Sequence, residues 1–238
     1  TDVLMVNFGF RHEIELPEWN NMLAPPQNGL ELNDLVTSTG KLTHVSIKLL
    51  SDWGGVEASG TVTGNDSGVI PDEGLQEYYW FGIFGAPDTA SIRSGLVPNS
   101  LFNLRFIASS QFSSFSDNGF TIYVVEEDTV SLYVQENTNN AAFIGGVFAD
   151  SNGNIDIKLM KAKGTPVGYI NALIIESVDE LEEGAEPLGI EESNVQVYPN
   201  PTHGEFVVRD QEKAIKSASL YGIDGLVRMK KLPINQHG

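Results

Sequence analysis

The chain has 238 residues, enough for one sizeable domain and a small second one. Its 32 acidic and 14 basic residues give a net charge of −18, which repels phosphate polyanions and argues against DNA or RNA as a partner. Cysteine is absent, which excludes disulfides, thiol catalysis and thiolate metal sites.

Neither a membrane-spanning helix nor a signal peptide is predicted. No apolar run approaches the ~18 residues that such a helix needs. The first residues, Thr1-Asp2-Val3, are not the start of a signal peptide. We therefore expect that a signal was removed or that the sequence begins after it.

The predicted elements are almost all strands, because short alternating or apolar runs recur and helical periodicity is nearly absent. Turn-forming residues at Asn65–Gly68, Asp117–Gly119 and Asp150–Asn154 separate these runs. Leu30–Leu35 fits a short strand or a single helical turn. About ten short strands at this spacing predict an all-β, two-sheet sandwich. In chain order the predicted strands are Val3–Phe10, Thr43–Leu50, Ala58–Thr63, Tyr79–Phe84, Leu101–Ser109, Phe120–Glu126, Thr129–Gln135, Ala141–Val147, Ile155–Lys161 and Tyr169–Glu176.

A change of composition predicts the domain organisation. Glu176–Pro187 carries six acidic residues in twelve and little apolar content, which is typical of a solvated linker. The predicted parts are a β-sandwich over residues 1–177, an acidic linker over 178–190 and a small C-terminal β unit over 191–238.

The C-terminal unit carries the most specific pattern of the chain. Val195–Val208 reads VQVYPNPTHGEFVV, and Ala218–Val227 adds a second apolar run with an Asp-Gly turn. These residues resemble the type IX secretion sorting domain of Bacteroidetes surface proteins. The resemblance implies export across the outer membrane by the type IX machinery. That family usually continues into a Gly-x-Tyr strand, so we expect an incomplete sorting unit here.

Fragments of the main domain resemble the galactose-binding-like and malectin-like modules that accompany secreted carbohydrate-active enzymes. The resemblance implies a jelly-roll sandwich whose first and last strands lie side by side, and a general activity of carbohydrate binding. It also makes structural calcium plausible. Related modules often have an Arg before the Thr-x-Tyr strand, which Ser116–Phe120 lacks. The matching fragments are Val6–Gly9, Trp19–Asn21, Leu104–Ser110, Gly119–Tyr123, Phe148–Asp150, Ile155–Ile157 and Gly168–Ile175.

Sugar binding needs aromatic faces to stack on pyranose rings and planar polar side chains for hydroxyls. The candidate stacking residues are Trp53, Tyr78 and Trp80. Trp53 lies in a loop-like segment, whereas Tyr78 and Trp80 share one face of a predicted strand. Packing in the core is the alternative for all of them. The polar candidates are Arg93, Asp117 and Asn118, chosen for loop position and side-chain type.

Calcium is the candidate cofactor. The segment Asp150-x-Asn152-Gly153-Asn154-x-Asp156 places oxygen ligands at alternate positions, as calcium loops do. It lacks the distal bidentate Glu, and Asn-Gly between two strands also forms a plain hairpin turn. Both interpretations stay open at the level of sequence.

A catalytic constellation is not indicated. The chain has no Gly-x-Ser-x-Gly elbow, and its histidines show no zinc-like spacing. Glu126-Glu127-Asp128 is a poor glycosidase pair, because adjacent strand residues point to opposite faces. The leading hypothesis is a secreted, cell-surface-sorted, non-catalytic carbohydrate-binding module. The alternatives are a polysaccharide-degrading enzyme on a β-sandwich and a surface adhesin or structural protein.

Overall fold

The computed structural model describes residues 2–11, 16, 18–111, 119–178, 195–198, 207–210, 220–221 and 227–229. The chain divides into two compact units, Thr1–Glu180 and Leu181–Gly238. The predicted linker, 178–190, lies outside the described residues except for Val178. None of the described helices is long and apolar enough to cross a membrane.

The described secondary structure is nearly all β. One short helix, α1, covers Asp72–Gln76. The strands are β1 Val3–Gly9, β2 Asn20–Leu23, β3 Glu31–Leu32, β4 Ser46–Leu49, β5 Gly55–Glu57, β6 Tyr78–Phe81, β7 Thr89–Gly95, β8 Leu101–Ile107, β9 Phe120–Val125, β10 Asp128–Tyr133, β11 Ala142–Phe148, β12 Asn154–Lys161, β13 Gly168–Ile170, β14 Ala172–Ser177, β15 Val195–Tyr198, β16 Val207–Asp210, β17 Leu220–Tyr221 and β18 Val227–Met229.

Two large sheets and one small sheet build the first unit. The five-stranded sheet has the order β11-β8-β14-β1-β2, and the six-stranded sheet has the order β10-β9-β12-β7-β4-β3. β1 and β2 are parallel, while the other neighbours are antiparallel. A three-stranded sheet has the order β13-β6-β5. The predicted pairing of the first and last strands is confirmed, because Val3 lies opposite Glu176.

The core lies between the two large sheets. In β4, β7, β9 and β12 of the six-stranded sheet the buried residues alternate along the strand, as Ile155, Ile157 and Leu159 do in β12. They belong to one apolar cluster with residues of the opposite sheet. The rings of Phe106 in β8 and Tyr123 in β9 stack across the gap at 4.4 Å between centroids. The predicted all-β jelly-roll sandwich is thereby confirmed.

A smaller apolar cluster covers part of the outer face of the five-stranded sheet. Ile70 lies just before α1 and Leu75 lies within it. Both are buried together with Ile107 of β8 and Ala172 of β14. The outer face of that sheet is therefore closed at this end.

The prediction of one strand over Tyr169–Glu176 is wrong, because the chain changes sheets at Asn171. β13 pairs with β6, whereas β14 pairs with β8 and β1. The buried amide of Asn171 donates to the carbonyl of Leu75 at 2.7 Å and accepts from the N–H of Ser109 at 2.7 Å. These side-chain bonds hold the crossing in place.

The predicted strands differ from the structure at other places as well; β2 and β5, for example, were not predicted. Ala58–Thr63 forms no strand, because its backbone donors find other partners: Thr61 donates to the hydroxyl of Ser109 at 3.0 Å and Thr63 to the carboxylate of Asp72 at 2.7 Å. β7, in the middle of the six-stranded sheet, was not predicted. Its sequence, TASIRSG, offers few apolar residues.

Short antiparallel ladders form the described part of the second unit. β15 pairs with β16, with Val197 opposite Val208, and β17 pairs with β18. The Pro-Asn-Pro-Thr turn of the sorting motif lies outside the described residues.

Candidate functional site

Trp53 is buried, and the expectation that its ring is exposed is wrong. The residue is 7% exposed, and its ring packs edge-on against Tyr79 and Phe81 at centroid distances of 5.8 and 5.7 Å. A loop position did not keep this aromatic residue at the surface, because the loop turns its ring into the core.

Tyr78 is also buried, whereas Trp80 is half-exposed. Tyr78 is 1% exposed, its hydroxyl lies 2.7 Å from the hydroxyl of Ser59, and its ring packs on Tyr169. β6 is the middle strand of the small sheet, and it has buried residues on both of its faces: Tyr78 on one, and Tyr79 and Phe81 on the other. Of the predicted stacking residues, Trp80 alone is not fully buried.

The predicted ligand residues are not gathered at one place. Trp80 lies on the small sheet, whereas Arg93 points outward from β7 in the six-stranded sheet. Asp117 and Asn118 lie outside the described residues.

The calcium segment forms a closed turn. One carboxylate oxygen of Asp150 accepts the backbone N–H groups of Asn152 and Asn154 at 2.7 and 2.8 Å. Gly153 takes a left-handed conformation with φ of 82°. The hydrogen bond from Asn154, ahead of that from Asn152, holds the pKa of Asp150 below its usual value.

Asp156, the last predicted calcium ligand, is engaged elsewhere. Its carboxylate accepts both N–H groups of the Arg93 fork, at 2.6 and 2.8 Å. A cation at Asp156 would meet the like charge of Arg93, so Asp156 is not free to act as a calcium ligand in this arrangement. Among the described residues no group of three or more His, Asp or Glu side chains could hold a metal ion. Calcium binding stays a prediction.

The outward side of the six-stranded sheet is a different candidate surface. The side chains that alternate with its core residues are exposed or half-buried. We call this surface the outer sheet face, and it consists of Glu31, Lys48, Thr89, Ser91, Arg93, Phe120, Ile122, Val124, Thr129, Ser131, Tyr133, Asp156, Lys158 and Met160.

An aromatic pair lies at one end of the outer sheet face. Phe120 and Tyr133 are opposite each other on β9 and β10, are 37% and 43% exposed, and have ring centroids 5.1 Å apart. The hydroxyl of Tyr133 donates to the side-chain carbonyl of Gln135 at 3.1 Å. The predicted ligand residue Asn118 is two positions before Phe120 in the sequence, so the segment that holds it leads into this end.

A row of charges crosses the other end. Glu31, Lys48, Arg93 and Asp156 are register neighbours on β3, β4, β7 and β12, and we call them the charge row. Lys48 pairs with Glu31 at 3.1 Å, and Arg93 pairs with Asp156. The hydrogen bond and charge of Asp156 raise the pKa of Arg93.

The middle of the outer sheet face is apolar, and polar side chains border it. Ile122, Val124 and Met160 are half-buried there, beside hydroxyl side chains of the neighbouring strands. The distance along β9 from the aromatic pair to the level of the charge row corresponds to about six residues, or about 20 Å.

A cleft of about 700 Å³ offers a different chemistry at one end of the sandwich. Its polar rim includes the exposed ion pair of Lys41 with Asp2 at 3.3 Å. Its aromatic residue is Phe102, which is 5% exposed, and the other apolar residues are aliphatic. The accessible ring of the cleft is the imidazole of His44, so no accessible phenyl, phenol or indole face is available there to stack on a pyranose.

The aromatic pair was not predicted from the sequence, because Phe120 and Tyr133 lie outside the aromatic cluster Tyr78–Phe81. The signal was nevertheless present in the alternation of Phe120–Val125. Thr121, Tyr123 and Val125 point into the core, so Phe120 has to point outward.

Comparisons with known proteins place the chain in no family. No protein-family model matches it, and no curated protein matches it. Among solved structures it is similar to a beta-glucuronidase of Bacteroides uniformis, with 12% identity, a TM-score of 0.40 and coverage of 74% of this chain and 18% of that one.

Two further structures share a comparable likeness. The plant receptor-like kinase ANX2 has 9% identity and a TM-score of 0.45 over 76% of this chain and 49% of that one. TmCBM61, solved in complex with beta-1,4-galactotriose, has 13% identity and a TM-score of 0.30 over 59% of this chain and 92% of that one. The chain thus spans less than two thirds of the glucuronidase and of the receptor kinase. Likenesses at this level carry no argument about function.

Proposed function

We propose that the first unit is a non-catalytic carbohydrate-binding module that holds a polysaccharide on the outer sheet face. The observation that carries the proposal is the exposed pair of Phe120 and Tyr133 at the end of an open sheet surface. Arg93, a residue chosen from the sequence, lies on the same face.

The chemistry of the face suits a sugar chain. Exposed rings stack on the apolar C–H face of a pyranose, and the hydroxyls around it need donors and acceptors. The half-buried apolar strip of Ile122, Val124 and Met160 continues the contact from the rings towards the charge row. A shallow surface of this kind gives modest affinity, on the order of micromolar to millimolar.

A polysaccharide binding screen with the full chain tests this proposal. We expect retention on at least one polysaccharide and a loss of about tenfold or more in Tyr133→Ala, which removes one stacking ring. Phe84→Ala is the matched control, because Phe84 is 89% exposed and its ring packs against Trp80 of the small sheet, at 6.0 Å between centroids.

The two variants separate specific from general effects. Equal losses of binding in both variants would show that the outer sheet face is not the specific binding site. If the wild-type protein is retained on no polysaccharide, the proposal is wrong and a protein partner becomes the better hypothesis. Circular dichroism of Tyr133→Ala checks that the β9–β10 hairpin still forms, since its aromatic pair contributes about 0.5–1.5 kcal/mol to stability.

The spacing of carboxylates supports binding rather than hydrolysis on this face. Glu31 and Asp156 are three strands apart, which corresponds to about 14 Å at the usual strand spacing. Glycosidases hold their two carboxylates about 5–9.5 Å apart. Reducing-end and absorbance assays on any retained polysaccharide test this part: turnover that one carboxylate substitution abolishes would establish an enzyme.

The sorting motif supports the second part of the proposal, which is display at the cell surface. Its flanking runs form β15 and β16, an antiparallel pair. We propose that the second unit is recognised by a type IX secretion system and that the first unit faces glycans outside the cell. Deletion of the second unit tests this part of the proposal.

A further inference from the structure

The charge row determines what a glycan meets beyond the aromatic pair. Each of its cations is already paired: Lys48 with Glu31 at 3.1 Å, and Arg93 with Asp156 through two hydrogen bonds. The Arg93 and Asp156 side chains are 41% and 60% exposed, so a ligand can reach them. It meets neutralised pairs there, and no free positive patch.

Neutral and acidic glycans differ in what they require of these pairs. A hydroxyl can donate to a free lone pair of Asp156 or Glu31 while the ion pair stays intact. A uronate carboxylate would reach the Nη1 N–H groups of Arg93, because Asp156 occupies Nε and Nη2, and there it would lie close to the Asp156 carboxylate as a second negative charge. The net charge of −18 adds repulsion at long range.

We propose that the outer sheet face selects neutral polysaccharides and rejects those that carry uronates. This inference rests on the proposed function, because it specifies the ligand of the same surface. The selection comes from acidic partners that already occupy the cations, so it is a specificity built by repulsion as much as by attraction.

Lys158 is a further cation of the face and has to be weighed against this inference. It is exposed and lies two residues after Asp156 on β12, on the same side of the sheet. A single exposed ammonium forms only a weak ion pair, and salt screens it. A uronate at Lys158 would also lie near the carboxylate of Asp156, two residues away on the same side of β12, so Lys158 does not reverse the preference.

A pair of ligands that differ in charge alone tests the inference. The full chain is assayed by affinity electrophoresis on soluble neutral glucan, galactan and mannan, and on the same preparations oxidised at C6 to the carboxylate. We expect the oxidised form to bind about tenfold or more weakly at low salt. The difference should narrow as salt is raised, because salt screens the repulsion.

Asp156→Asn identifies the residue responsible. It frees the Arg93 fork and removes one negative charge, so the preference for the neutral form should fall at least severalfold. Asp2→Asn is the matched control, since it removes one charge and frees Lys41 immediately before β1, which belongs to the five-stranded sheet. Its preference should equal that of the wild type.

The outcomes separate the two proposals. If the oxidised form binds as tightly as the neutral form, or if its weaker binding does not depend on salt, the inference of neutral selection is wrong while glycan binding stands. If the wild type binds neither form of any polysaccharide, the proposed function itself is wrong.

Discussion

Gly54 lies directly under the indole of Trp80, and a side chain at this position has no room. A Cβ atom built on Gly54 would overlap the six-membered ring of Trp80. Trp80 is held on β6 between β5 and β13, so the ring cannot move away freely. We expect Gly54→Ala to lower the free energy of unfolding by about 1–3 kcal/mol, measured as a lower urea midpoint.

Gly119→Ala is the control for that substitution. A Cβ atom there meets Cβ of Gln135 at 3.6 Å, which is ordinary van der Waals contact. We expect the free energy of unfolding of Gly119→Ala to differ from that of the wild type by no more than about 0.5 kcal/mol. Equal losses in the two variants would show that glycine flexibility, and not the overlap with Trp80, determines the result.

Single residues also show how far the sequence predicts exposure. The alternation of Phe120–Val125 fixes which side chains share a face, because successive strand residues point to opposite sides. Whether a face is covered depends on other parts of the chain. Trp53 and Tyr78 are buried because β6 is covered on both sides, and no local pattern in the sequence reveals that cover.

At the scale of elements, strands rich in Val and Ile were predictable to within a residue or two. β9, β10 and β12 are examples. β7 was not predictable, because its pairing with β4 and β12 on either side stabilises it more than its own composition does. The break at Asn171 was missed for the same reason, since its bonding partners, Leu75 and Ser109, are distant in sequence.

The turn that Asp150 closes has a pH dependence of known sign. Hydrogen bonds from Asn154 and Asn152 lower the pKa of Asp150 in the folded state below that in the unfolded state, about 3.9. Its stabilising contribution is therefore fully present above about pH 4 to 5 and is lost as the pH falls through the folded pKa. Asp150→Asn keeps an acceptor oxygen but removes the charge.

We expect the wild type to exceed Asp150→Asn in urea midpoint by a constant amount from pH 7 to about 5, and the gap to close below about pH 4. Midpoints measured across this range for both proteins check the prediction. A gap of the same size at about pH 3 would mean that the amide fits the turn poorly, and that the charge contributes nothing.

At the scale of the whole molecule, the two units have separate tasks under the proposed function. The first unit closes on itself, because β14 lies between β8 and β1 and returns the chain to its first strand. Asp2 donates its backbone N–H to Ser177 at 2.8 Å at this closure. Nothing in the first unit's sheets requires a strand from beyond Ser177, so we expect residues 1–190 to fold without the second unit.

Deleting residues 191–238 should therefore remove display and leave folding and binding intact. In a bacterium with type IX secretion, and behind an export signal, we expect the full chain to be cleaved by protease added to whole cells and the deleted chain to be protected. The purified 1–190 chain should retain polysaccharide binding and the unfolding midpoint of the full chain.

Deletion of residues 179–190 is the control, because it shortens the acidic linker and keeps the sorting motif. If the chain without residues 191–238 still reaches the surface, the motif is not the sorting signal. If the 1–190 chain unfolds at a lower midpoint, the second unit contributes to the stability of the first.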